Sequence, residues 1–335
     1  MAESIFAAGK IYSLTNSAGF GVEVNNVGAT IMALRAPDRS GELRDVALGL
    51  QNPADYDENP AYFGAVVGRV AGRIRNAKCE IDGAEYSLPA NDNGNTLHGG
   101  GDCRSWAWRE ENVSPQSLML AYTSPSGESG FPGKLEIEII YEITDDNELI
   151  IDYAAKTDAP TPVNLTNHVY FNLNGVNVND GDILNHEFGI NAIELLESDG
   201  ALVATGYRKE LANTPFDLSE PVTFGDILPQ LPNGIDDCYV LENICQEFLA
   251  AVAYSPASGI EMRVYTTELC IQFYTGNFLD GSAPGKYGKT YKNRDGFCME
   301  TMGYQDTLHN PGFPSVILRP GETYRQRTVY KFLTR

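Results

Sequence analysis

Four histidines occur in the 335 residues, and two of them stand among groups suited to binding a polyhydroxylated ligand. His98 lies in Asn95-Thr96-Leu97-His98-Gly99-Gly100-Gly101, where glycines allow close approach of backbone and ligand. His168 lies in Val163-Asn164-Leu165-Thr166-Asn167-His168-Val169-Tyr170-Phe171-Asn172, where amides alternate with aromatic rings. That mixture can hydrogen-bond and stack at once, as a sugar requires. Each has a plainer alternative: a surface loop turned by its glycines, and a core strand whose amides serve the backbone. Spacing alone does not choose between them. Glu300 sits in Gly296-Phe297-Cys298-Met299-Glu300-Thr301, where burying a charge among apolar neighbours is costly without a purpose. Such surroundings raise a carboxyl pKa toward the range useful to a general base, unless the residue merely faces water on an edge strand. Asp236-Asp237 follows Pro232-Asn233-Gly234-Ile235 and reads by default as a turn. An aspartate there could also accept hydrogen bonds from sugar hydroxyls. Gln272, in Ile271-Gln272-Phe273-Tyr274-Thr275-Gly276-Asn277-Phe278, again combines amides with aromatics.

Other chemistries lack their signatures. No two histidines stand at i, i+2 or i, i+4, and there is no HExxH or paired CxxC, so no metal is expected. No GxSxG elbow supports a serine hydrolase. Gly64, Gly68 and Gly72 do not form GxGxxG, and no Lys-Ser/Thr follows the glycines after His98, so neither dinucleotide nor phosphate-loop binding is expected. The formal net charge of −21 repels phosphate backbones and anionic headgroups, which argues against nucleic-acid and membrane partners. Six scattered cysteines (Cys79, Cys103, Cys238, Cys245, Cys270, Cys298), no visible secretory signal and no long apolar span favour a reduced, cytoplasmic protein with free thiols.

The elements that must position these residues are strands. In 135–143, Leu135, Ile137, Ile139, Tyr141 and Ile143 share one face, with Glu136, Glu138 and Glu142 opposite. Asp145-Asp146-Asn147 then turns the chain, so 135–154 reads as a hairpin. A second hairpin lies at 79–88, with Asp82-Gly83 as the tight turn. Further strands are expected at 19–24, 29–34, 117–123, 260–266, 270–275, 297–301 and 323–332. Helical signals are confined to single turns at 53–58 and 220–228. No linker, charge block or repeat divides the chain, so 1–335 reads as one large antiparallel β-sandwich domain with few short helices.

Taken in order, the blocks Gly68-Arg69-Val70-Ala71-Gly72-Arg73-Ile74, Asn95-Thr96-Leu97-His98-Gly99-Gly100, Asn164 to Leu173, Gly234-Ile235-Asp236-Asp237, Val264-Tyr265-Thr266-Thr267, Ile271 to Leu279, Gly296 to Thr301 and Leu318-Arg319-Pro320-Gly321-Glu322 resemble the aldose 1-epimerase (galactose mutarotase) family. Eight blocks in register span essentially the whole chain. The resemblance implies a galactose mutarotase-like supersandwich that interconverts the α and β anomers of free aldoses without a cofactor, as monomer or homodimer. Position by position it makes His168 the general acid and Glu300 the general base. His98 and Arg73 match residues that bind substrate oxygens near the ring, Asp236 the aspartate that holds hydroxyls, and Gln272 a residue near the anomeric centre. Gly72 departs from the asparagine expected in some members, which bears on substrate preference.

Ring opening removes a proton from the C1 hydroxyl and delivers one to the ring oxygen, so a carboxylate and an imidazolium in reach of the two oxygens would serve both needs. Three other readings compete. A hexose-6-phosphate epimerase would need a basic cluster, for which Arg69, Arg73 and Arg75 are the candidates. A glycoside hydrolase would need two flanking carboxylates. A non-catalytic sugar-binding module would be marked by loss of Glu300 or His168, and both are present.

Overall fold

Alternating sequence becomes paired strands because each pleat sends neighbouring side chains to opposite faces. The computed structural model describes residues 4–176, 181–242 and 247–335. Leu135–Ile143 buries its five alternating apolar residues and exposes Glu136, Glu138 and Glu142. It pairs with Glu148–Thr157 from Leu135 opposite Thr157 to Ile143 opposite Leu149. The hairpin expected at 79–88 forms from Lys78–Ile81 and Ala84–Ser87, with Asp82 and Gly83 at φ of 52° and 83°.

Three larger antiparallel sheets result. One has nine strands, in the order Arg109–Val113, Ser117–Ser124, Leu135–Ile143, Glu148–Thr157, Tyr324–Thr334, Ile260–Thr266, Phe248–Tyr254, Glu187–Ile190 and Val222–Thr223. The last strand of the chain is therefore inserted near its centre. A second sheet has five strands, in the order Ala204–Glu210, Ala192–Ser198, Asp236–Leu241, Cys270–Tyr274 and Cys298–Met302. A third holds Ile11–Thr15, Gly21–Asn25, Thr30–Pro37 and Leu43–Asp45. One continuous apolar cluster joins all three, including Leu14 and Val22, Ile139 and Met262, and Phe273 and Met299. The architecture is the β-sandwich expected from the periodicity. Described helices are single turns such as Ile5–Ala8 and Phe224–Ile227, and none is long and apolar enough to cross a membrane. Five cysteines are free and buried, while Cys245 lies outside the described residues.

One expectation from sequence needs correction, and one strand had no counterpart among the expected elements. Asp236-Asp237 opens a strand, and the turn lies just before it, where Gly234 adopts φ 74° and its N–H donates to Leu231 O at 2.7 Å. The apolar run Cys238-Tyr239-Val240-Leu241 draws the two aspartates into the sheet. The edge strand Ala204–Glu210 gave no alternating signal because most of it is exposed.

Arg69 ties the sandwich together from inside. It is 1% exposed, and no carboxylate among the described residues pairs with it. Its guanidinium donates instead to Ser124 Oγ and O, Pro125 O, Pro132 O, Gly133 O and Thr161 Oγ1, at 2.8–3.1 Å. Five donors in a fixed fork suit converging carbonyls better than any other side chain does. Burial lowers its pKa to about 10 without neutralising it near pH 7. Arg69→Ala strands several buried acceptors at ~1–3 kcal/mol each, so urea unfolding is expected to register a loss of at least ~3 kcal/mol. A loss under ~1 kcal/mol would mean that water enters and replaces the guanidinium.

Candidate active site

Three neighbouring strands build the floor of a cavity of about 290 Å³. Tyr274 pairs with Asp236 on one side and with Cys298 on the other. Gln272 lies opposite Glu300 on the same pleat. Period two therefore puts Asp236, Gln272, Tyr274, Cys298 and Glu300 on one face, while Tyr239, Ile271, Phe273 and Met299 on the other enter the core. A one-residue slip on any of these strands would exchange the two sets.

His168 arrives from a separate segment, just after the short strand Thr166–Asn167 that pairs with Val66–Val67. Its backbone N–H donates to Ala65 O at 2.9 Å, and its O accepts from Gly64 N at 3.0 Å, which fixes the height of the ring. Tyr62 stacks on it at 5.9 Å and Tyr170 packs at 5.0 Å, while His98 meets it edge-on at 5.4 Å. Nδ1 lies 3.6 Å from Cys298 Sγ, and Nε2 lies 3.7 Å from Glu300 Oε1. Glu300 is only 2% exposed, and its Oε2 has no hydrogen-bond partner among the described residues.

The electrostatics follow from this dry aromatic enclosure. Burial pushes the Glu300 carboxyl well above its usual range, and nearby Asp236 adds to the rise. Burial also lowers His168 to about 4. The ion-pair distance alone suggests opposite charges, but 3.7 Å is too long for a hydrogen bond that would offset desolvation. Burial therefore disfavours the imidazolium expected from sequence. Both groups are driven toward neutrality, so the pair holds one proton, on the carboxyl.

Further polar groups line the cavity. His98 adopts φ 51° at the start of a single turn, and its Nδ1 accepts from Gly72 N at 3.3 Å. Burial holds His98 well below its usual pKa, so the neutral ring presents Nε2–H as a donor. Arg73 donates through Nε to Asp92 Oδ2 at 2.6 Å and lines the cavity. Asp236 accepts from Gln272 Nε2 at 2.7 Å. Burial raises Asp236 to about 6, against the opposing pull of Arg73.

All six residues singled out from sequence, Arg73, His98, His168, Asp236, Gln272 and Glu300, line this one cavity. Sequence reasoning passed over Tyr62 and Gln305. Tyr62 belongs to no quoted block, although its φ of 58° marks a constrained position. The basic cluster that a phosphosugar would need does not form. Arg69 is spent in the core, and Arg75 pairs with Asp199 at 2.9 Å. His168, Cys298 and Glu300 place potential metal-ligand atoms within 4.8 Å of one another, a grouping that local spacing could not reveal because tertiary pairing creates it. Burial favours protonation of both the Cys298 thiol and the Glu300 carboxyl, which opposes metal ligation.

A family model described as aldose 1-epimerase matches residues 10–331. Human galactose mutarotase is 42% identical over 318 residues, covering 93% of this chain and 90% of its own. Aldose 1-epimerase of Escherichia coli K12 is 34% identical over 333 residues, covering 97% and 95%. Among solved structures, an aldose epimerase homologue of C. elegans superposes with a TM-score of 0.90 at 28% identity, covering 97% and 99% of the two chains. With the sandwich, the cavity and the eight sequence blocks in agreement, the chain belongs to the aldose 1-epimerase family, isomerases that interconvert sugar anomers.

Proposed function

We propose that this chain performs that reaction with Glu300 and His168 as its proton-transfer pair, acting on free aldoses such as D-galactose and D-glucose. The supporting observation is the 3.7 Å separation of Glu300 Oε1 and His168 Nε2 at the cavity floor. The hydroxyl oxygen and the ring oxygen are both bonded to C1, so each can meet one of the two side-chain atoms. Binding brings sugar hydroxyls to the carboxyl, which favours transfer of the shared proton to His168. Glu300 then takes the C1 hydroxyl proton while His168 protonates the ring oxygen. The C1–ring oxygen bond breaks, leaving an aldehyde and a free hydroxyl. Rotation about C1–C2 presents the other carbonyl face, and closure returns both protons. The pair ends with the same single proton it began with.

Arg73, His98, Asp236 and Gln272 hold the sugar by its oxygens, the first two as donors and Asp236 as acceptor. These residues come from one chain, which supports a site that works in a monomer or in each half of a homodimer. Five free, buried thiols support a reduced, cytoplasmic setting.

Polarimetry on fresh α-D-galactose and α-D-glucose tests the assignment. Glu300→Gln and His168→Asn are each expected to lower kcat by ~10²–10⁴-fold while remaining folded. A folded variant with near wild-type kcat would remove that residue from the pair.

The pH profile follows from the shared proton. As pH falls through about 4, His168 of the free protein gains a second proton, no base remains, and kcat/KM is lost. As pH rises through the elevated Glu300 value, the pair loses its acid. Near neutrality kcat is expected to be flat, whereas KM rises as pH falls through about 6 and Asp236 is protonated. With the Asp236 limb removed by Asp236→Asn, an acid limb in kcat/KM near the ordinary histidine value of ~6.5 would contradict a buried His168.

Arg73→Lys replaces a planar fork with a point charge, so KM is expected to rise more than kcat falls. An unchanged KM with reduced kcat would give Arg73 a role in the chemical step.

A further inference from the structure

Gln305 belongs to no block of the sequence comparison, yet it is 9% exposed and lines the cavity. Its Nε2 donates to Gln272 Oε1 at 2.8 Å, and Gln272 Nε2 donates in turn to Asp236 Oδ1 at 2.7 Å. The carboxylate sets the direction of this chain. Asp236 as an anion can only accept, so Gln272 must turn its NH₂ toward it and its carbonyl toward Gln305. Gln305 must then turn its own NH₂ toward Gln272. Its Oε1 is left as an acceptor without a hydrogen bond to the described residues, and it belongs to a side chain on the cavity wall.

Gly72 explains how the amide fits there. A Cβ at position 72 would lie 2.8 Å from Gln305 Cδ and 3.0 Å from both Cγ and Oε1. Gly72 also sits at φ +75°, which asparagine tolerates better than most side chains. The space above Gly72 therefore holds one amide, and in this chain position 305 supplies it.

We propose that Gln305 is a sugar-binding residue, accepting a substrate hydroxyl through Oε1 while Nε2 locks Gln272 against Asp236. This deepens, and rests on, the reading of the cavity as an aldose site. Gln305 carries no proton in the reaction, so its contact bears on affinity and hydroxyl preference more than on proton transfer.

The test uses Gln305→Ala, the space-filling Gln305→Met and the double variant Gly72→Asn/Gln305→Ala. Each is assayed for D-galactose mutarotation, titrated with D-galactose by calorimetry, and checked by thermal unfolding. Both single variants are expected to raise KM and Kd by ~tenfold, with kcat falling less than ~threefold. The double variant, with its amide supplied from position 72, is expected to bind more tightly than Gln305→Ala. Wild-type affinity in Gln305→Met would reduce Gln305 to packing and overturn the proposal, as would unchanged affinity in Gln305→Ala. A double variant no tighter than Gln305→Ala in a folded protein would overturn the exchange of amides across Gly72. Should the wild-type protein fail to accelerate mutarotation, the aldose epimerase reading fails by itself, and the calorimetric comparison still decides the part played by Gln305.

Discussion

Two ionisable groups, Glu300 and His168, share one water-poor cavity, and neither can carry its charge there alone. Low polarity penalises the carboxylate and the imidazolium alike, so the pair keeps one proton between them. That constraint accounts for much of the surrounding design. The rings of Tyr62 and Tyr170 pack against the imidazole and help to bury it. The 3.7 Å separation is too long for the pair to quench itself and short enough for one reacting carbon to bridge it. Two groups with pKa values displaced in opposite directions are what concerted proton transfer at neutral pH needs.

The sheet makes that geometry durable. Glu300 and Gln272 are opposed on adjacent strands, and Asp236 follows on the third. Their relative heights are set by backbone pairing and not by side-chain flexibility. The opposite faces of the same strands are anchored by Tyr239, Phe273 and Met299 in the main core. Shifting the polar face would therefore require dislodging the apolar one. The Gln305–Gln272–Asp236 chain extends this order to side chains, since a single carboxylate orients both amides.

One short block shows how differently neighbouring cations can be used. Arg69 is buried and satisfied by hydroxyls and carbonyls, Arg73 turns to the cavity beside Asp92, and Arg75 pairs with Asp199. Near each other in sequence, they diverge because the chain between them runs through short strand segments and turns. These three arginines therefore do not assemble into one cluster of positive charge.

The sequence by itself determined the strands with one wet face, such as Leu135–Ile143, because alternation is a local property that burial of one side enforces. It also carried the six cavity residues, through motifs whose order along the chain is specific. It did not carry the start of Asp236–Leu241, where two aspartates resemble a turn until the following apolar run draws them into the sheet. Nor did it carry the exposed edge Ala204–Glu210, where no face is buried and no alternation is imposed. The charge state of His168, the aromatic enclosure around it and the place of Gln305 over Gly72 were decided only in three dimensions. Each depends on groups brought together from distant parts of the chain, and desolvation is a property of that assembly and not of any residue within it.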